Sequence, residues 1–159
     1  MENILISLIM GVALSAVCGF RVFIPMLVLS LGARCEYLTL GENWMWLASD
    51  PALIVFSTAT VLEICAYYIP VLDHFLDVLA APAAATAGTI VAAALFVDIS
   101  PLMKWTLAII AGGGAASVAH VGKALLRAAV SAPSLGTGNW VVSTGEVLAA
   151  AGVGLLTLL

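Results

Sequence analysis

The sequence predicts an all-α membrane protein that forms a single transmembrane domain over residues 1–159. Hydrophobic residues make up 64% of the chain and charged residues 9%, with a mean hydropathy of +1.20. A soluble domain carries about 25% charged residues, so this chain cannot cover a water-facing surface. At about 20 residues per crossing, its apolar runs divide into about five transmembrane helices, two of them broken.

Composition and motifs also exclude several classes of function. The five basic residues, three of them inside apolar runs, are too few to form a surface that binds nucleic acid. The three cysteines, Cys18, Cys35 and Cys65, show neither a disulfide framework nor a zinc-binding spacing. The sequence contains no nucleophile–histidine arrangement and no phosphate-binding loop. We therefore expect the protein to be neither an enzyme nor the carrier of a cofactor.

The first element is the apolar run Ile4–Ala33, in which Arg21 is the only charged residue. A cation in the membrane costs roughly 3 kcal/mol on insertion scales, but the large aliphatic residues of the run outweigh this cost. As one helix the run would be about 45 Å long, against a hydrocarbon core of about 30 Å. Gly19 and Pro25 favour a break, because proline cannot donate a hydrogen bond to the Arg21 carbonyl. We expect a guanidinium and unwound backbone at the same place.

The second crossing follows a polar connection over residues 34–50. Asp50 followed by Pro51 is typical of a helix start, with a capping side chain and a proline in the first turn. The crossing contains one charged residue, Glu63, and it ends before Pro70. A carboxylate within this run needs a partner as much as Arg21 does.

A short helix and a third crossing lie between the two halves of the chain. Residues 70–81 predict an amphipathic helix at the membrane interface, with Asp73 and Asp77 four residues apart on its polar side. Pro82 then opens a third crossing over residues 82–97. This segment is rich in alanine, which suits close helix packing.

A second overlong run covers residues 102–132 and contains its own weak point. The consecutive glycines Gly112, Gly113 and Gly114 predict a second broken helix with unwound backbone. Such backbone is tolerated at membrane depth where it is buried in protein or lines a cavity.

Beyond the triple glycine, three basic residues share one helical face. His120, Lys123 and Arg127 recur at spacings of three and four residues. The final crossing, Trp140–Leu159, contains Glu146. Both halves of the chain therefore combine buried bases with a buried acid.

An internal repeat relates residues 4–69 to residues 102–159. In each copy a broken helix with a buried base precedes an Asn-Trp pair, and an acidic residue follows seven positions after the asparagine. The pairs are Asn43 with Asp50 and Asn139 with Glu146. Since one central crossing separates the copies, the second copy would be inverted, as in many secondary transporters.

Four elements of the sequence resemble those of a known family. They are Gly19-Phe20-Arg21 with Pro25, Glu63 with Pro70-x-x-Asp73-x-x-x-Asp77, His120-x-x-Lys123-x-x-x-Arg127, and Asn139-Trp140 before Glu146. The family is catalogued as domain of unknown function 4126, and the resemblance covers nearly the whole chain. It implies a small multi-pass protein of the bacterial inner membrane. It implies no activity and no role for any residue.

Charged residues within the apolar runs predict the functional site. Three bases (Arg21, Lys123, Arg127) and two acids (Glu63, Glu146) would cost about 15 kcal/mol if all were unpaired, which is as much as an entire folding stability. These side chains must therefore contact one another, a ligand or water.

We expect a small transporter or channel for an ion or a small solute, of which an anionic solute is one option. Its polar site at mid-membrane would consist of Arg21, Glu63, His120, Lys123 and Glu146. Arg21 and Lys123 would coordinate an anionic group, and Glu63 would bind a coupling proton or cation. The weak charge difference between the loops is typical of a dual-topology homodimer. The expected partners are thus the lipid bilayer, the solute and a second copy of the chain.

Two alternatives stay open. The first is a lipid-headgroup-binding or structural membrane protein with a buried ion-pair network, in which Arg21 contacts Glu63 directly and Arg127 reaches the headgroups. The second is a membrane-embedded metal-binding protein or enzyme, whose divalent cation would be bound by the cluster Asp73, His74 and Asp77. A solvated face of an interfacial helix is a simpler explanation of that cluster.

Overall fold

In this computed structural model, the described part of the chain is built from helices alone. The structure describes the backbone of residues 2–134 and 139–157, and their side chains except those of 2–3, 70–71, 73–74, 131–134 and 139–140. Its α-helices are α1 (Glu2–Cys18), α2 (Phe23–Arg34), α3 (Asp50–Ala66), α4 (Pro70–Leu95), α5 (Pro101–Leu107), α6 (Gly114–Ser134) and α7 (Asn139–Leu156). A 3-10 helix, Glu42–Ala48, precedes α3, and a π-helical segment, Ala108–Gly113, joins α5 to α6. The predicted all-α fold class is confirmed.

The first apolar run is broken, as its length predicts. Residues 19–22 lie outside both α1 and α2. A Cβ atom on Gly19 would collide with the carbonyl oxygen of Ala116 in α6, so this position requires glycine. Pro25 is the third residue of α2, where a backbone N–H would have no acceptor within the helix. Pro25 therefore belongs to the start of the second helix, and the break lies just before it.

The triple glycine interrupts the α-helical pattern without unwinding the chain. α5, the π-helical segment and α6 form one continuous helix, Pro101–Val130. A Cβ atom on Gly112 would lie 2.5 Å from the Cβ of Ala92 and 2.6 Å from the carbonyl oxygen of Gly88, both in α4. Gly112 thus permits close helix packing. The predicted unwound backbone at Gly112, Gly113 and Gly114 is replaced by helical backbone.

The predicted boundary at Pro82 is wrong. Residues 70–81 and 82–95 belong to the single helix α4, which continues through the proline. Proline removes one internal hydrogen bond from a helix. Ala80 and Ala84, on either side of Pro82, are both buried in the protein. We attribute the continuity of α4 to this packing, which outweighs the lost hydrogen bond.

α4 is the central helix of the bundle. It packs against α1, the π-helical segment and α6, while α2 packs against α3 and α7. The Ser15 hydroxyl of α1 donates a hydrogen bond of 2.7 Å to the Gly88 carbonyl of α4. Leu14, Val91 and Phe96 are buried in the apolar core. Because α1 packs on both α4 and α6, Gly19 at the end of α1 brings the break between α1 and α2 against α6.

Large apolar side chains cover the outer surface, including Leu102, Ile110 and Val118. Two helices in the described ranges, Phe75–Leu95 and Pro101–Val130, are long and apolar enough to cross a membrane. The number rises to three if the 3-10 helix and α3, bent by 66° at their junction, count as one span. α1, α2 and α7 are apolar but shorter. The helices are compatible with a membrane protein, and the number of about five crossings stays a prediction.

The inverted repeat of residues 4–69 and 102–159 also stays a prediction. Residues 135–138, just before the second Asn-Trp pair, lie outside the described residues. The two equivalent acids have different surroundings: Asp50 begins α3 and forms an exposed ion pair with Arg34, whereas Glu146 is buried within α7.

Candidate functional site

Five charged side chains from four parts of the chain meet in the interior of the bundle. We call them the charge cluster: Arg21 between α1 and α2, Asp77 in α4, Lys123 and Arg127 in α6, and Glu146 in α7. The break in the first run turns Arg21 inward, and the spacing of four residues places both α6 cations on one face. The cluster is thus assembled from distant parts of the chain.

Glu146 is the carboxylate that all three cations approach. Its Oε1 accepts a hydrogen bond from Arg127 Nε at 2.9 Å, and its Oε2 accepts one from Arg127 Nη2 at 3.1 Å. The same Oε2 lies 3.3 Å from Arg21 Nη2 and 4.0 Å from Lys123 Nζ. Because a two-point arginine–carboxylate pair is strong and well oriented, Glu146 and Arg127 form the fixed centre of the cluster.

Asp77 supplies the second carboxylate at the edge of the cluster. Its Oδ1 lies 3.4 Å from Lys123 Nζ, and its Oδ2 lies 3.0 Å from Arg127 Nη1. The Asp77 side chain is 34% exposed, whereas those of Lys123 and Arg127 are 1% and 6% exposed. The cluster therefore extends from the surface at Asp77 into the interior.

Arg21 is the innermost cation, with a side chain that is 0% exposed. Its Nη2 donates to the Ser143 carbonyl at 3.1 Å and pairs with Glu146. Its Nε and Nη1 have no hydrogen-bond partner within the described ranges. A buried donor without a partner costs about 1–3 kcal/mol, and more when the group is charged. Arg21 therefore retains unused donors at the centre of a buried site.

Tyr67, the residue that follows α3, supplies an aromatic face to all three cations. The ring centroid lies 3.9 Å from Arg21 Cζ, 4.6 Å from Lys123 Nζ and 5.1 Å from Arg127 Cζ. Its hydroxyl also lies 3.3 Å from Lys123 Nζ, which donates to it. An aromatic face attracts cations through its quadrupole. Tyr67 was not predicted, although its place four residues after Glu63 puts it on the same face of the helix.

Glu63 lies beside the cluster and binds the break between α1 and α2. Its Oε1 accepts from the Val22 N–H at 2.8 Å, and its Oε2 accepts from the Phe23 N–H at 3.1 Å. The first N–H groups of a helix have no acceptor within it, and a carboxylate there also interacts favourably with the helix dipole. The Arg21–Glu63 contact expected of a structural network is replaced by the pair of Arg21 with Glu146.

His120 and Arg127 both differ from their predicted surroundings. His120 is buried on α6, and its Nδ1 has no hydrogen-bond partner in the described part of the chain, so no described contact joins it to the cluster. Arg127 was expected to reach the headgroups, but it is buried and paired with Asp77 and Glu146. Its spacing of four residues from Lys123 is the signal that could have placed it in the site.

The predicted metal cluster of Asp73, His74 and Asp77 falls partly outside the described residues. The side chains of Asp73 and His74 lie outside them, and Asp77 is bound to the two α6 cations. Within the described ranges, no group of three His, Cys, Asp or Glu side chains could hold a metal ion.

A groove of about 430 Å³ lies beside the cluster, between α3, α4 and the start of α2. Its lining is largely apolar and includes Phe23, Leu62 and Leu79, together with Glu63 and Tyr67. Tyr67 thus contributes both to the groove and to the charge cluster.

Comparison with known proteins identifies the family of the chain. No curated protein and no solved structure matches the sequence. A family model described as "Domain of unknown function (DUF4126)" matches residues 8–159, which is nearly the whole chain. The resemblance of the four sequence elements is thereby confirmed, and the chain belongs to the family of domain of unknown function 4126.

Proposed function

We propose that this protein is a small multi-pass transporter of the bacterial inner membrane and that the charge cluster binds an anionic solute. The observation that supports this most strongly is the state of Arg21, whose guanidinium is fully buried with two nitrogens unpaired in the described ranges. Buried polar groups in proteins almost always have partners, and the exceptions concentrate at functional sites. An anion that reaches Arg21 would accept a hydrogen bond from one of these nitrogens.

The arrangement of the cations also favours an anion. Arg21, Lys123 and Arg127 lie around the ring of Tyr67, so a ligand that enters among them meets three positively charged groups. Within the described ranges the carboxylates near these cations, with Glu63 included, are also three in number. The unpaired donors of Arg21, and not an excess of charge, therefore favour an anionic ligand.

The backbone around Arg21 supports transport as the use of such a site. Residues 19–22 are not helical, and the carbonyl of Phe20 lies 3.4 Å from Lys123 Nζ, which donates to it. Discontinuous helices that surround a charged site are typical of secondary transporters. Glu63 fixes the start of α2 at this break, so a change at Glu63 could move α2 relative to Arg21.

Anion flux into proteoliposomes tests the proposal. We expect uptake of labelled acetate or chloride by vesicles that contain the protein, and a loss of about tenfold or more in Arg21→Gln. Arg34→Gln is a matched control, because Arg34 is an exposed arginine paired with Asp50 at a distance from the cluster. Flux equal to that of protein-free vesicles, or flux that Arg21→Gln leaves unchanged, contradicts the proposal.

A second candidate function is structural, with the cluster serving only to hold the helices together. The observation in its favour is the two-point pair of Arg127 and Glu146, which needs no ligand. Replacing a buried ion pair by apolar residues of similar volume is often neutral or stabilising. Under this alternative, the double variant Arg127→Met, Glu146→Leu, which removes both partners of that pair, loses less stability than Glu146→Leu alone, and neither it nor the unaltered protein binds any anion.

A further inference from the structure

We infer that the anionic group of the solute is a carboxylate, and that Asp77 is a tethered competitor for its place on Lys123 and Arg127. This inference rests on the proposed function, because it names the ligand class of the same site. It follows from the geometry of Asp77, from its exposure and from the position of Arg21 behind it.

The first step is the geometry of the two α6 cations. The two oxygens of Asp77 face different cations: Oδ2 accepts a hydrogen bond of 3.0 Å from Arg127 Nη1, and Oδ1 lies 3.4 Å from Lys123 Nζ without a hydrogen bond in the described ranges. Lys123 and Arg127 are therefore spaced to bind the two oxygens of one carboxylate. A spherical halide offers a single point of contact and makes poorer use of the two sets of donors.

The second step is the difference between the two acids of the cluster. Glu146 is 3% exposed and is bound at two points by Arg127, so it is fixed in the interior. Asp77 is 34% exposed and lies where the cluster meets the surface. A carboxylate from solution can reach the position of Asp77 and displace it.

The third step is the proximity of the Asp77 position to Arg21. Lys123, Arg127 and Arg21 all lie over the ring of Tyr67, at 4.6, 5.1 and 3.9 Å from its centroid. A carboxylate that replaces Asp77 is thus already in contact with two of the three cations. One of the unpaired nitrogens of Arg21, Nε or Nη1, is the donor that would receive it next. Asp77 returns to Lys123 and Arg127 when the solute leaves them.

Chemical rescue by acetate tests this inference. In Asp77→Ala the competing carboxylate is removed, so acetate should bind about tenfold more tightly than to the unaltered protein. Calorimetry on the full-length protein in detergent gives the affinity, and the melting temperature should rise with acetate more than with chloride at equal ionic strength. Asp50→Ala removes an exposed aspartate that is also paired with an arginine. It should gain no preference for acetate.

The outcomes separate this inference from the proposed function. If Asp77→Ala does not fold, Asp77→Asn replaces it, because the amide keeps the shape and removes the charge. Anion flux in the unaltered protein, without any gain of acetate affinity in the Asp77 variants, overturns the inference and leaves the proposed function standing. Equal gains for chloride and acetate also overturn it. Stabilisation by phosphatidylserine vesicles but not by acetate would place the carboxylate on a lipid, and it would overturn the assignment to a soluble solute.

Discussion

Replacing Glu146 by glutamine removes the carboxylate that Arg21, Lys123 and Arg127 share. The change weakens two hydrogen bonds of 2.9 and 3.1 Å from Arg127 and removes the negative charge that the three cations share. Removing one partner of a buried ion pair typically costs about 3–5 kcal/mol, since the other charge is left without compensation. We expect Glu146→Gln to lower the free energy of unfolding by this amount, measured by denaturant titration in mixed micelles.

A second substitution distinguishes uncompensated charge from a general loss of packing. Adding Arg127→Gln to Glu146→Gln removes one of the uncompensated cations, so the double variant should be more stable than Glu146→Gln alone. Asp50→Asn is the matched control: its pair with Arg34 is exposed, and such pairs contribute at most about 1 kcal/mol. A cost of Glu146→Gln no greater than that of Asp50→Asn, or a second substitution that only adds to the loss, would refute the role of Glu146 in compensating buried charge.

Two further predictions concern the backbone that surrounds the cluster. Glu63→Ala should destabilise the start of α2 by about 1–2 kcal/mol, because the Val22 and Phe23 N–H groups lose their acceptor. Faster amide hydrogen exchange at Val22 and Phe23 would show this loss, and Glu63→Gln should have a smaller effect. Gly112→Ala should lower the free energy of unfolding by roughly 1–3 kcal/mol in a thermal denaturation experiment, since the added Cβ would collide with α4. Gly122→Ala should be neutral or stabilising, because its added Cβ would have no neighbour within 4 Å. Equal effects of the two glycine substitutions would contradict the packing argument.

An element is predicted correctly where the helix-breaking residues and the length of the apolar run indicate the same boundary. The run around Arg21 is too long for one crossing and contains Gly19, and the structure breaks it there. Pro82 shows the opposite case, because the local rule predicts a boundary and the buried alanines of α4 keep the helix continuous. At Gly112 the glycine serves contact with α4, which depends on a neighbour that the sequence does not reveal.

The members of the site were easier to predict than their partners. Buried charges such as Arg21, Lys123 and Glu146 are evident from their cost in an apolar run. Which acid pairs with Arg21 depends on how α3 and α7 approach the break, and that is tertiary information. Glu63, the nearer acid in sequence, binds backbone N–H groups instead. Tyr67 has no charge, so only the assembled fold reveals its contact with the cations.

The most direct test of anion binding at Arg21 is the nuclear magnetic resonance signal of its own Nε–H group. The chain has three arginines, Arg21, Arg34 and Arg127, so ¹⁵N-arginine labelling gives a simple spectrum that substitutions can assign. Titration with acetate should shift the Arg21 Nε–H signal in a saturable way and leave that of the exposed Arg34 unchanged. An Arg21 signal that stays constant while acetate is transported, or at saturating acetate, would contradict the account.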